Sequence, residues 1–192
     1  MDPWNIKKED FPKTGNLEDR IKFVLGYAIL APSTHNSQPW LFKIDGSSCK
    51  IYYDLNLNLP ESDPKQRDLY ISLGAMIENL IIVGNYFSIF KDFKYILEGN
   101  LVAEVYFAEN EPQNGDLDYL VDTIPKRVNA RGVFEAKPIV EGIQAQMLSL
   151  NKNGNIKIDF VTNKEKINKL ALLTVEGLRL AYKRISFRKE MS

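Results

Sequence analysis

The 192-residue chain has one cysteine, one histidine and a formal net charge of zero, and each of these features excludes a class of protein. Cys49 alone cannot form an internal disulfide, and Cys49 with His35 is too small a ligand set for a zinc site. The 25 basic and 25 acidic residues cancel, so the overall positive charge typical of nucleic-acid-binding proteins is missing. We therefore expect no metal, no nucleic-acid partner and a reducing, cytoplasmic location.

Several common motifs are also missing. The sequence contains no Gly-x-Gly-x-x-Gly, no phosphate loop ending in Gly-Lys-Ser/Thr, no His-Glu-x-x-His and no Gly-x-Ser-x-Gly. The first residues, MDPWNIKKEDF, lack the apolar run of a signal peptide. An apolar stretch from Ile71 to Phe90 is interrupted by Glu78, Asn79 and Asn85, which predicts a buried helix and no membrane span. Any phosphate site must therefore use side chains.

The most informative stretch is APSTHNSQPW, from Ala31 to Trp40, which lies between an apolar helical pattern and an apolar strand pattern. Pro32 and Pro39 fix their own φ angles and restrict the residues before them, so the polar residues between them form a pre-ordered loop. Such a loop can hold a flat polar ligand at little entropic cost. The alternative is that the prolines only end a helix and begin a strand, with ordinary turn residues between them.

The same loop contains the only histidine. His35 could act as a base for Ser33, two residues away, which would indicate a hydrolase. However, the sequence has no strained nucleophile elbow and no sign of an acid that would orient the histidine. We therefore disfavour hydrolysis.

A second polar stretch, RVNAR, runs from Arg127 to Arg131. In an extended segment residues 127, 129 and 131 point to one face, and guanidinium groups bind phosphate oxygens in a fixed fork. The stretch could hold a ligand that lies along it. The same composition also fits a solvated surface segment, and the sequence alone leaves both interpretations open.

Hydrophobic periodicity divides the rest of the chain into helices and hairpins. An Asn16 cap followed by apolar residues at helical spacing predicts a first helix that ends at Pro32. Strand pairs flank the turns at Asp45–Ser48 and Gly99-Asn100, and an apolar helix from Leu69 to Phe87 lies between the two hairpins. The pattern further predicts helices at 117–123 and 140–150, a strand from Ile156 to Val161, and a last helix from Asn163 to the end of the chain.

Taken together, four segments resemble a family of flavoproteins. LAPSTHNSQPWLFKI is similar to the Pro-Ser-x-x-Asn-x-Gln-Pro-Trp signature of the nitroreductase-like flavoproteins. More narrowly, the set resembles the Acg family of FMN-binding nitroreductase homologues, over most of the chain from about residue 20. The segments are Leu30 to Trp40, Leu59-Pro60 with Asp63-Pro64 and Arg67, SLGAMIENL from Ser72 to Leu80, and RVNARGVFEAKPI from Arg127 to Ile139.

The resemblance implies an α+β, nitroreductase-like fold, with an antiparallel-rich sheet packed by helices and a long buried central helix. It divides the chain into an N-terminal arm (1–15), a first nitroreductase-like half (16–122) and the start of a second half (123–192). In ordinary members the two halves are subunits of a homodimer, whereas in the Acg branch one chain contains both. We expect the second half to be incomplete here, which leaves a homodimer possible.

The resemblance also implies FMN as the cofactor. It assigns flavin contacts in the first half to Ser33, His35, Asn36 and Gln38, and contacts to the phosphate, ribityl chain and pyrimidine edge to Arg127, Asn129 and Arg131. Asn129 replaces the usual serine of the Arg-x-Ser-x-Arg motif. The flavin carries the redox chemistry, so no catalytic side chain is expected.

The function implied is that of an FMN-dependent oxidoreductase of nitroreductase type. Such an enzyme would pass hydride from NAD(P)H through flavin N5 to a small nitro-aromatic or quinone-like acceptor. Two alternatives remain open. One is a protein that binds or sequesters FMN without turnover, and the other is a truncated structural module that has lost flavin.

Overall fold

A computed structural model of the chain describes residues 3–112, 117–130, 132–135, 137–151 and 154–192. The described residues form a four-stranded antiparallel sheet and six α-helices, which confirms the predicted α+β class. The architecture is compatible with a nitroreductase-like fold. The chain divides into two units, Met1–Val128 and Asn129–Glu190, which are considered separately below.

The sheet of the first unit consists of two antiparallel hairpins. β1 (Trp40–Asp45) pairs with β2 (Ser48–Tyr53), and β3 (Phe90–Glu98) pairs with β4 (Leu101–Phe107), so both predicted hairpins are confirmed. The strand order β1-β2-β4-β3 places β1 and β3 at the edges. Alternate residues of β2 are buried, because one face of the sheet packs on the core and the other faces solvent.

Two helices pack together to complete that core. α1 (Leu17–Ala28) begins at Asn16, whose side chain accepts a 2.9 Å hydrogen bond from the Asp19 amide, and this confirms the predicted cap. α2 (Arg67–Tyr86) packs against α1 and fully buries one side. The length and composition of α2 would also suit a membrane span. Its buried side gives it the predicted role of a long central helix in the core.

The start of α2 depends on Asp63, a buried carboxylate in the proline-containing segment before the helix. Gln66, the residue at the cap position, has a φ of 55° and makes no capping bond with its side chain. Instead, Asp63 Oδ2 accepts a 2.8 Å hydrogen bond from the Leu69 amide. A carboxylate at this position satisfies an amide that the helix leaves unpaired and complements the helix dipole.

The described part of the predicted arm, residues 3–15, lies against α1 and α2. Phe11 is buried, and its ring stacks on that of Phe87 with centroids 4.0 Å apart and an interplanar angle of 6°. Phe23 meets both rings edge-on at 5.5 Å. This aromatic cluster explains why the segment packs on the unit, since burial of a phenyl ring strongly stabilises a contact.

The first unit ends with α3 (Asp118–Thr123) and a 3-10 turn, Ile124–Lys126. Both elements are held by buried apolar side chains, those of Val121 and Ile124. The contacts of α3 and the turn therefore lie within the first unit. The domain boundary predicted after residue 122 remains a prediction.

The second unit contains α4 (Ile143–Leu150), α5 (Lys164–Ala181) and α6 (Ile185–Glu190). Phe187 is the one buried apolar side chain among its described residues. The predicted strand from Ile156 to Val161 is wrong, since the structure assigns no strand there. A lone strand has no neighbour to satisfy its backbone hydrogen bonds.

The last helix is also shorter than predicted. It ends at Ala181, and a new helix begins at Ile185. The Arg188 guanidinium donates a 2.9 Å hydrogen bond to the Tyr182 carbonyl, and the Phe187 ring packs edge-on against Tyr182 at 5.2 Å. These local contacts stabilise the bend.

Candidate functional site

The loop from Ala31 to Trp40 has an unusual backbone. His35, Asn36 and Gln38 have φ angles of 52°, 59° and 47°, in the left-handed region that residues with a Cβ atom seldom adopt. Each such residue costs on the order of 1 kcal/mol or more, although Asn tolerates the region better than Gln does. Backbone strain of this kind concentrates at binding and catalytic sites, which makes the loop the leading candidate site.

Hydrogen bonds within the loop and to α2 hold it in this shape. The Thr34 amide donates to Ser72 Oγ at 3.2 Å, and Ser72 Oγ donates in turn to the Asp68 carbonyl at 2.7 Å. The Gln38 amide donates to Ser33 Oγ at 2.9 Å. Ser72 is buried on α2, so the loop is fastened to the central helix of the core.

The predicted ligand-contacting side chains differ in exposure. His35, Asn36 and Gln38 are exposed, whereas Ser33 is half-buried and its hydroxyl already shapes the loop. The inner side of the loop lines a cavity of about 10 Å³ together with Ser72 and the segment 57–66, which is room for about one water molecule. A larger ligand would therefore lie on the exposed side.

Arg127 reaches the base of this loop from 97 residues further along the chain. Its Nη2 donates to the Leu30 carbonyl at 3.3 Å, immediately before the loop begins. The arginine follows the 3-10 turn whose first residue, Ile124, is buried in the core. The structure thus brings one residue of the second polar stretch to the first, and places a positive charge at the loop.

The remaining predicted site residues, Asn129 and Arg131, follow the end of the first unit in sequence. Asn129 is exposed and begins the second unit, and it is described only within that unit. Arg131 lies outside the described residues. Binding of one ligand by Arg127, Asn129 and Arg131 together therefore remains a prediction.

Sequence reasoning missed the anchoring role of Ser72. A signal was present, because Ser72 lies beside Leu73 on the apolar side of α2, where a buried hydroxyl requires a hydrogen-bond partner. The partner itself, the amide of Thr34, is 38 residues away in sequence and could not be identified from local pattern.

Other reactive groups lie away from the loop. Burial raises the pKa of the Cys49 thiol to about 12, so Cys49 remains a protonated thiol at neutral pH. The described ranges contain no cluster of three or more His, Cys, Asp and Glu side chains that could hold a metal ion.

An α+β fold with a strained polar loop and an arginine at its base is compatible with the nitroreductase-like class. No family model matches the chain. The chain is 23% identical over 166 residues to the "Putative NAD(P)H nitroreductase Rv3131" of Mycobacterium tuberculosis strain H37Rv. It is equally similar to "Putative NAD(P)H nitroreductase MT3217" of strain CDC 1551 / Oshkosh.

These matches cover 82% of this chain and 46% of each relative. The chain therefore spans less than half the length of the curated relatives it matches. The similarity supports a nitroreductase-like relationship for the chain.

Proposed function

We propose that this chain acts as an FMN-dependent oxidoreductase of nitroreductase type, which uses NAD(P)H to reduce nitro-aromatic or quinone-like acceptors. The hydrogen bond between Arg127 Nη2 and the Leu30 carbonyl carries the proposal. It joins two of the sequence segments that resemble flavin-binding motifs. The names of the two relatives support the same reaction class.

The described residues fit FMN by their chemistry. His35, Asn36 and Gln38 present exposed hydrogen-bonding side chains that suit the polar edge of the isoalloxazine ring. Arg127 supplies a guanidinium, which suits a phosphate or a developing negative charge. Because folding has already fixed the left-handed backbone of the loop, ligand binding would not need to order it.

When bound, FMN would supply hydride transfer through its N5 between NAD(P)H and the acceptor. The residues of the chain would orient the cofactor and stabilise charge. Arg127 would hold the phosphate, or would favour the reduced cofactor by placing positive charge near its pyrimidine edge. Ser33 would contribute by fixing Gln38 in place, because its hydroxyl accepts the Gln38 amide hydrogen. Asn129 and Arg131 complete the proposed set, and no side chain is assigned an acid or base role.

The proposal is tested with the purified 192-residue protein. We expect a flavin absorption spectrum, or saturable quenching of FMN fluorescence on titration, followed by oxidation of NADH or NADPH when a nitro-aromatic acceptor is added. Binding of FMN without turnover would contradict the proposed enzyme activity and indicate a flavin-sequestering protein. A colourless preparation that does not quench FMN fluorescence would overturn both and indicate a structural module. Sedimentation of the FMN-loaded protein tests whether it forms the homodimer that the resemblance leaves possible.

Replacing Gln38 with glycine separates the backbone strain of the loop from its proposed contact with flavin. Glycine adopts a positive φ without strain, so we expect Gln38→Gly to raise the free energy of unfolding by about 0.5 to 1 kcal/mol, the relief of strain less the entropy cost of glycine. The same change removes a proposed flavin contact and should weaken FMN binding. Urea denaturation and fluorescence titration measure the two effects.

Ser88→Gly is the matched control for this variant. Ser88 has a φ of 57° in the turn between α2 and β3 and takes no part in the loop. It should gain similar stability and bind FMN like the wild type. Equal FMN affinity in Gln38→Gly and Ser88→Gly would remove Gln38 from the proposed site.

A further inference from the structure

Lys8 links the start of the chain to α3. Its Nζ lies 2.8 Å from Asp118 Oδ1 and 2.9 Å from Asp122 Oδ1, and 5.4 Å from the centroid of the Tyr86 ring. Asp118 and Asp122 are four residues apart on α3 and so lie on one side of the helix, where a single ammonium group can bind both. The Lys8 side chain is 23% exposed, which makes it the most enclosed member of this group of three charges.

α3 is short and needs such support. It has six residues, and Val121 is its one buried side chain. An isolated helix of this length is unstable in water. The hydrogen bonds from Lys8 and Tyr86 hold the pKa of Asp118 below its ordinary value, so the carboxylate that binds Lys8 is ionised at neutral pH.

Arg127 follows α3 almost directly. The Ile124 amide donates to the Leu120 carbonyl at the end of α3, and the Arg127 amide donates to the Ile124 carbonyl at 3.4 Å. The chain therefore passes from Asp122 to Arg127 through continuous helical turns. A rotation or shift of α3 would move the Arg127 side chain, whose Nη2 contacts the Leu30 carbonyl at 3.3 Å.

We propose that Lys8 is a positioning residue for Arg127. By bridging Asp118 and Asp122, it fixes α3 and the following turn so that the Arg127 guanidinium lies at the base of the polar loop. The consequence for ligand binding rests on the proposed FMN function. A contact can shift a conformational equilibrium only by its own free energy, and ion pairs with exposed partners are weak. The expected effect of losing the bridge is therefore a modest change in affinity.

Lys8→Met tests the proposal, because it keeps much of the apolar stem and removes the charge. We expect FMN affinity, measured by fluorescence quenching, to fall about two- to fivefold. Lys8→Arg should restore binding, since a guanidinium can bridge the two carboxylates. Lys22→Met is the matched control, as it removes a 2.7 Å pair with Glu18 on the surface of α1 and should leave FMN affinity unchanged.

A double-variant cycle shows whether the effect passes through Arg127. In an Arg127→Ala background, Lys8→Met should have no further effect on FMN affinity. If Lys8→Met weakened binding equally in both backgrounds, or if Lys22→Met had the same effect, the positioning role would be overturned.

Amide hydrogen exchange tests the same role without FMN. Lys8→Met should accelerate exchange of the backbone amides in residues 117–127, and Lys22→Met should not. Unchanged exchange there would overturn the proposal. If the wild-type protein binds no FMN, the proposed function fails on that result alone. The exchange measurement then still decides whether Lys8 holds the segment that carries Arg127.

Discussion

Replacing Arg127 with alanine should weaken FMN binding by about 1.5 to 3 kcal/mol, the range for a hydrogen bond to a charged group. The guanidinium is half-buried at the base of the loop, where its charge is less screened than on an open surface. Fluorescence titration of the variant and the wild type under the same ionic conditions gives the difference directly.

Two further substitutions, one at Arg127 and one at the residue before it, control for the loss of charge. Arg127→Lys keeps the charge but loses the planar fork, so we expect an intermediate loss of FMN affinity. Lys126→Ala removes an exposed charge one residue away and should bind FMN like the wild type. An unchanged affinity in Arg127→Ala, with a normal unfolding transition, would exclude Arg127 from the phosphate or flavin contact.

Two glycines of α2 should respond to alanine in opposite directions. A Cβ atom at Gly84 would lie 2.9 Å from the Phe90 Cβ and 3.6 Å from the Phe90 Cα, so backbone at the start of β3 would have to move. We expect Gly84→Ala to lower the free energy of unfolding by about 1 to 3 kcal/mol, the usual cost of overpacking. A Cβ atom at Gly74 would meet nothing within 4 Å.

Gly74→Ala is therefore the matched variant in the same helix. It should raise the free energy of unfolding by about 0.5 to 1 kcal/mol, because alanine has the higher helix propensity. Urea denaturation of both variants measures the difference. Stabilisation by both substitutions would mean that α2 and β3 are further apart than the structure places them.

Local pattern predicted much of the first unit. The helical spacing of apolar residues predicted α1 and α2, and turn residues between apolar segments predicted both hairpins. Asn16 was identifiable as a cap from residue type and position. Hydrophobic periodicity could not predict the contacts of Phe11 and Asp63. The Phe11 ring stacks on that of Phe87, 76 positions later, and Asp63 caps α2 from outside the helix. The second unit departs most from prediction, because its described residues offer no partner strand with which the predicted strand could form a sheet.

For the candidate site, too, the sequence predicted local structure but not the contacts between distant residues. The two prolines predicted an ordered loop from Ala31 to Trp40, because their effect on φ is local. The loop with positive φ angles is held by bonds from the Thr34 amide to Ser72 and from the Gln38 amide to Ser33. The contact between Arg127 and Leu30 joins residues that are 97 positions apart. The bond to Ser72 and the contact with Leu30 are tertiary, so residue type and spacing could suggest the participants but not their arrangement.

The strained loop has a consequence for the course of laboratory evolution. Selection for heat resistance alone would enrich replacements at positions 35, 36 and 38 that relax the backbone, with glycine at position 38 among the first. Selection for flavin-dependent turnover would remove those same replacements. A library screened under the two pressures should therefore diverge at these three positions before it diverges in the core.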